Sequence, residues 1–187
     1  MSHCIVLADR LAPRIGIKSD PALIVAGAIL IALCSGIEIP LQPVPITGQT
    51  FGVLFAAAFL GARRGAGAAA LFVFAGSAGI PLFSGGACGV SHLFGPTGGY
   101  LAGFIAAALV VGSLSRKGFD RSIPGTVFSM AVGNSIIYIF GVIWLSRFVG
   151  WEHAFTGGVL PFLAGDALKI ILASSLLPAG WSRLNDR

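Results

Sequence analysis

Gly157–Gly180, GGVLPFLAGDALKIILASSLLPAG, is apolar enough to span a bilayer except at two positions, Asp166 and Lys169. An ionised side chain at membrane depth costs about 2.5–3.5 kcal/mol on insertion scales, so such groups face a bundle interior and mark functional sites. At i, i+3 the two project from one helix face, where they reach each other or share a polar ligand. Two readings stand: an ion pair that ties helices together, or a polar ligand site inside a membrane protein. The second is the expectation carried forward.

The rest of the chain fits that setting. Of 187 residues, 56% are hydrophobic and 10% charged, against about 25% charged in soluble domains. Several apolar runs are long enough for a hydrocarbon core of roughly 30 Å. The fold class expected is therefore all-α, a polytopic membrane protein. Residues 1–20 form a cytoplasmic lead-in, and 21–187 form one six-helix membrane domain with long external loops over a ligand pocket. The lead-in, broken by Pro13, lacks the apolar core and cleavage site of a signal peptide. It reads either as an amphipathic segment on the cytoplasmic surface or as an unstructured lead-in.

The spans expected are Ala22–Ile39, Gln49–Leu60, Gly65–Ala78, Gly98–Leu114, Pro124–Phe148 and Gly158–Leu177. Two are short for a perpendicular crossing, so they extend into their loops or are not lipid-exposed along their whole length. With six spans, Arg10, Arg14, Lys18, Arg63, Arg64, Arg116, Lys117, Arg121, Arg183 and Arg187 share the side of both termini, and only Arg147 lies opposite. The positive-inside rule then puts both termini in the cytoplasm. The +5 net charge sets topology in this way and gives no reason to expect nucleic acid. Cys4, Cys34 and Cys88 lack metal-ligand spacing and imply no disulfide framework.

On that topology two Pro- and Gly-rich stretches face outside, IPLQPVPITGQT (39–50) and GIPLFSGGACGVSHLFGPTGGY (79–100). Irregular backbone at membrane depth persists only where protein buries it or it lines a cavity. Thr97, Gly98 and Gly99 precede the fourth helix with N–H groups suited to an anionic or carbonyl oxygen, or they form a tight turn. Asp166 lies about two turns below the external face and Lys169 about one turn deeper. Asn134 and Tyr138 share a face of the fifth helix at i, i+4. Asn134 either meets the ligand or bridges helices, and Tyr138 and Trp144 either line the site or anchor the membrane interface. Ala22, Ala26, Ala28 and Ala32 give two overlapping AxxxA pairs, suited to close helix packing within the bundle or against a partner.

Nothing in the chain suggests an enzyme. It has no Walker A, HExxH, CxxC or GxSxG pattern. His3, His92 and His153 are isolated and read as peripheral. An intramembrane protease needs paired catalytic groups, and Asp166 has no second carboxylate at membrane depth, Glu38 capping the first span on the outside. No metal or cofactor is expected.

PVPITGQT after the first helix, GIPLFSGG after the third, LFGPTGGYLAGF entering the fourth, GNSIIYIFG in the fifth and PFLAGDALKI in the sixth together resemble the BioY family. The likeness is collinear from about Ala22 to Pro178. BioY proteins are the biotin-capturing components of energy-coupling factor transporters. The resemblance implies six helices with the vitamin held beneath external loops, in the bacterial cytoplasmic membrane. Carried over position by position, it implies a substrate site of Phe83, Gly85, Gly86, Thr97, Gly98, Gly99, Tyr100, Asp166 and Lys169, with Asn134 and Tyr138 added from the fifth helix. Asp166 is suited to accept from a ureido N–H of biotin, while Lys169 donates to the carbonyl or neutralises a carboxylate.

The resemblance further implies partners: a transmembrane coupling protein meeting Ala22, Ala26, Ala28 and Ala32, and two ATPase subunits. Two other functional classes stay open. One is a self-sufficient biotin transporter or facilitator, working alone or as a homo-oligomer. The other is a non-transport membrane scaffold, which biotin binding would exclude.

Overall fold

Glycine and proline decide where the helices stop. The computed structural model describes residues 5–11 and 19–185. It contains α1 (Leu7–Leu11), α2 (Asp20–Ser35), the two-residue strands β1 (Glu38–Ile39) and β2 (Ile46–Thr47), α3 (Gln49–Leu60) and α4 (Ala62–Ser77). Then follow α5 (Val90–Phe94), α6 (Gly98–Arg116), α7 (Ile123–Gly158) and α8 (Leu160–Asn185). The six apolar segments expected are α2, α3, α4, α6, α7 and α8. Much of the lead-in, with His3, Cys4, Arg14 and Lys18, lies outside the described residues, as does Arg187.

Several boundaries differ from those expected. The first helix ends at Ser35, four residues short of Ile39. The Gly48 N–H donates to the Ile37 carbonyl at 2.8 Å, and β1 pairs antiparallel with β2, Glu38 opposite Thr47. The prolines between the strands have no N–H to offer a helix, so the loop closes as a hairpin. The fifth helix is capped by Ser122, whose Oγ accepts from the Gly125 N–H at 3.3 Å, an N-cap of the usual kind. It breaks at Gly150 (φ 79°), a left-handed position, before a further helical stretch to Gly158. The sixth begins at Leu160 and runs past Pro178 to Asn185. Its last turns are held by Trp181, whose indole N–H donates to Asp120 at 2.7 Å beneath the Arg121 guanidinium.

α6, α7 and α8 are each long and apolar enough to cross a membrane. α3 is not: its 12 residues reach about 18 Å at 1.5 Å per residue. Instead it is buried along most of its length, from Gly52 to Leu60. The shortness noticed in the sequence is thus that of an interior helix, with its backbone shielded by neighbours. Its Leu54, with Phe72, Ile31, Ile137 and Leu177 around it, is fully buried in the core.

Successive long helices alternate in direction and give the bundle two ends. At one end lie the β1–β2 hairpin, residues 78–97, the close of α7 and the start of α8; this is the site end. At the far end Gly61 (φ 85°) joins α3 directly to α4. There α1 packs one face against the bundle and leaves Asp9 and Arg10 exposed. Val6, Leu7 and Ala8 are buried in the bundle, and Arg64 pairs with Asp9 at 2.5 Å and Asp20 at 2.6 Å.

Candidate ligand-binding site

Asp166 and Lys169 sit on α8 near the site end, with Asp166 only 3% exposed. Their i, i+3 spacing brings Lys169 Nζ to 2.9 Å from Asp166 Oδ1. The pair is not alone. Lys169 Nζ also donates to the Thr47 carbonyl at 2.7 Å and to Thr50 Oγ1 at 2.8 Å. Thr50 in turn donates to Asp166 Oδ1 at 3.3 Å, and the Tyr138 hydroxyl donates to Asp166 Oδ2. An ammonium has three N–H donors, and all three are engaged. The buried charges are therefore compensated by each other and by hydrogen bonds, as burial demands.

A second polar layer backs the first. Gln49 accepts from Thr47 Oγ1 at 3.3 Å and donates through Nε2 to Ser35 Oγ at 2.8 Å. All three residues are buried. The chain of contacts runs from the end of α2 through the hairpin to α8 and α7.

Toward the site end, an aromatic-walled cavity opens over this network. Thr47, Gln49 and Thr50 line one wall, and Tyr100, Ile137, Tyr138 and Phe162 the other. Phe83, His92 and Thr97 roof it. Phe83 is 2% exposed, stacks on His92 at 5.2 Å and meets Phe72 edge-on. Phe162 lies 6.4 Å from both Tyr100 and Tyr138. The Tyr100 hydroxyl is spent on the Gly158 carbonyl at 2.9 Å. The space left between these side chains is about 40 Å³, enough for a few waters at about 10–15 Å³ each.

His92 is not peripheral, as its isolation in the sequence suggested. It packs on Phe83 in the roof, and burial pushes its imidazole below the ordinary histidine range, favouring the neutral ring.

Asp166, Lys169, Tyr138, Tyr100, Phe83 and Thr97 are thus brought together. The other expected residues lie elsewhere. Gly98 and Gly99 are buried at the α6–α7 contact, where a Cβ on Gly99 would collide with Trp144. The Gly98 N–H is occupied by the Gly95 carbonyl at 3.0 Å. Gly85 (φ 67°) and Gly86 (φ 72°) form an exposed left-handed turn outside the cavity. Asn134 is buried one turn below Tyr138, and its Oδ1 has no partner among the described residues. Trp144 is half-buried, its indole N–H donating to the Gly95 carbonyl at 2.9 Å. Of the four alanines on α2, Ala22 and Ala26 are exposed, Ala32 is half-buried and Ala28 is turned inward.

Thr47, Thr50, Gln49 and Phe162 are the contributors that sequence reasoning missed. The sequence signal was there in PITGQT: three polar side chains entering an apolar helix.

Comparison with known proteins bears on the family and the fold. A family model described as BioY family matches residues 10–186. A probable biotin transporter BioY from Pyrococcus horikoshii is 38% identical, over 78% of this chain and 88% of its own. The biotin transporter BioY of Thermotoga maritima is 40% identical, over 82% and 86%. Among solved structures, the crystal structure of the S-component for biotin from an ECF-type ABC transporter superposes with a TM-score of 0.75. It covers 90% of this chain and 91% of its own at 24% identity, a likeness of fold.

Proposed function

The chain belongs to the BioY family, and from that we propose that it is the biotin-capturing component of an uptake transporter in a bacterial cytoplasmic membrane. The observation that carries the reading is the buried Asp166–Lys169 pair, wired to Thr50 and Tyr138 beneath an aromatic cavity. Biotin offers two ureido N–H donors, a ureido carbonyl, an apolar thioether ring and a carboxylate tail. Asp166 accepts from the ureido N–H, and Tyr100, Tyr138, Phe162 and Phe83 enclose the bicycle. A site of buried, matched polar groups rejects analogues that lack the partner, because the protein group is then left unpaired.

In this reading α2, α3, α4, α6, α7 and α8 traverse the membrane as a unit, with α3 shielded inside. Arg10, Arg63, Arg64, Arg116, Lys117, Arg121 and Arg183 all belong to far-end elements, which supports a cytoplasmic far end and an outward-facing site. Capture from outside leaves release to a partner, and the open face of α2 at Ala22 and Ala26 suits a coupling protein served by two ATPase subunits.

The test is calorimetric titration of the purified chain with biotin and desthiobiotin, without ATP or metal. Stoichiometric, tight binding of biotin is the expected result. Absence of binding by either ligand in a folded detergent preparation overturns the assignment.

A further inference from the structure

Above the cavity, and sharing Pro45, Ser84, His92 and Thr97 with it, lies a vestibule of about 420 Å³ between the β1–β2 hairpin and the loop from Ser84 to Thr97. Among the described residues, its wall holds one acidic side chain, Glu38, and no lysine or arginine. Glu38 Oε2 accepts from Ser84 Oγ, and Oε1 faces Gly85, 3.2 Å from where a Cβ would stand. At the inner end of the site, Lys169 has no free proton and Asp166 is its neighbour. A ligand carboxylate placed there would displace one of these bonds and lie beside a second anion. The ureido end, with donors for Asp166, therefore fits inward, and the tail leads into the vestibule. A free carboxylate there meets Glu38 with no lysine or arginine of the wall to balance it.

We propose that this site also takes biotin amides, conjugates in which the tail carboxyl is joined to an amine, and that Glu38 is the specificity residue that reads the charge of the tail. The proposal rests on the biotin reading above. An amide removes the anion that Glu38 opposes, and a terminal ammonium pairs with it. The vestibule's opening lets such a tail extend, so conjugation does not exclude the bicycle from its pocket.

The experiment is titration of the purified chain, parent and Glu38→Gln, with biotin, biotinamide and N-(5-aminopentyl)biotinamide. Gln keeps an acceptor for Ser84 and removes the charge. In the parent, both amides bind within about tenfold of biotin. In Glu38→Gln, biotin gains several-fold, the amine-tailed conjugate loses several-fold and neutral biotinamide is unchanged. If biotin binds the parent but both amides are more than about a hundredfold weaker, the tail is enclosed and the proposal is overturned. It is equally overturned if all three ligands shift together in Glu38→Gln, since Glu38 then acts only by holding Ser84. Failure of biotin itself overturns the underlying reading and this proposal with it; failure of the amides alone overturns only the proposal.

Discussion

Lys169 Nζ lies 2.7 Å from the main-chain carbonyl of Thr47, so the residue that neutralises Asp166 also ties the β1–β2 hairpin to α8. A single ammonium thus serves the charge balance of the site and the seating of one of its covering loops. Moving the hairpin away from α8 therefore requires one of the three bonds around Nζ to be given up.

The first expected outcome concerns that ammonium and its partner. Lys169→Met leaves Asp166, Thr50 and the Thr47 carbonyl short of a donor; Asp166→Asn weakens the hold on Lys169. Each unpaired buried group costs about 1–3 kcal/mol, more for a charge. Calorimetry should show biotin binding at least tenfold weaker in each variant, a loss of about 1.4 kcal/mol, with membrane insertion retained. Parent-like affinity in both variants makes the pair structural and moves the site elsewhere.

Tyr138→Phe removes only the hydroxyl that donates to Asp166. The ring remains against Phe162, so packing is nearly conserved. One hydrogen bond to a charged group contributes about 1.5–3 kcal/mol, and a free lone pair on Asp166 partly offsets the loss by accepting from ligand or water. The expected result is a moderate fall in biotin affinity, smaller than for Asp166→Asn. A loss as large as that of the charge variants would show Tyr138 contacting the ligand through its hydroxyl.

His92 makes the roof sensitive to acid. Its folded-state pKa is lowered by burial, so the neutral ring's packing is fully present above the usual value of about 6.5. That packing is lost as pH falls through the lowered value. Glu38 is the acidic side chain lining the same vestibule. Biotin affinity measured from about pH 8 to pH 5 should fall on the acid side in the parent and stay flatter in His92→Phe, which keeps the stack on Phe83. An unchanged profile in the variant assigns the acid sensitivity to another group.

Asp120, at the far end, titrates in the opposite sense. Burial raises its pKa, against the Trp181 hydrogen bond and the nearby Arg121 charge. The folded chain therefore holds this proton more tightly than the unfolded one, and stability drops as pH rises from the ordinary Asp value of about 3.9 to the raised one. Asp120→Asn keeps an acceptor for the Trp181 indole and carries no charge to bury. Thermal melts in detergent should show it more stable than the parent at pH 7, with the gap closing toward pH 4. A variant less stable at pH 7 would mean that the carboxylate is needed in ionised form.

Which parts of this were legible beforehand follows from the range of each signal. Apolar runs are local, so all six helices and the Asp166–Lys169 spacing could be read directly. The Gly150 break and the Trp151–Gly158 stretch were not, because eight residues carry too little periodicity to separate from a loop. Thr50 and Thr47 escaped because an uncharged hydroxyl or carbonyl gains its meaning only from Lys169, 119 and 122 positions away. His92 was read as isolated for the same reason: Phe83, its stacking partner, reaches it only when the loop folds back. In Gly98 and Gly99 the sequence pattern was visible but two physical causes fit it. Close approach to the Leu93 carbonyl at Gly98, and to Trp144 and the Phe140 carbonyl at Gly99, accounts for both glycines without a ligand.

The last expected outcome uses the division among the α2 alanines. Ala26 belongs to an open face with Ala22, Val25, Ile29 and Leu33, the last three 47%, 54% and 70% exposed. Small residues on such a face allow close helix approach, and a large one excludes it. Ala28 is 8% exposed and directed into the bundle, where overpacking costs about 1–3 kcal/mol or more. Ala26→Trp should therefore abolish ATP-driven biotin uptake and co-purification with a coupling protein while biotin affinity in detergent is unchanged. Ala28→Trp should instead lower thermal stability and binding together. If Ala26→Trp also loses binding, α2 turns that face inward and the interface lies elsewhere. If the parent takes up biotin in cells without any coupling module, and Ala26→Trp does so equally well, the chain is a self-sufficient transporter and the open face meets only lipid.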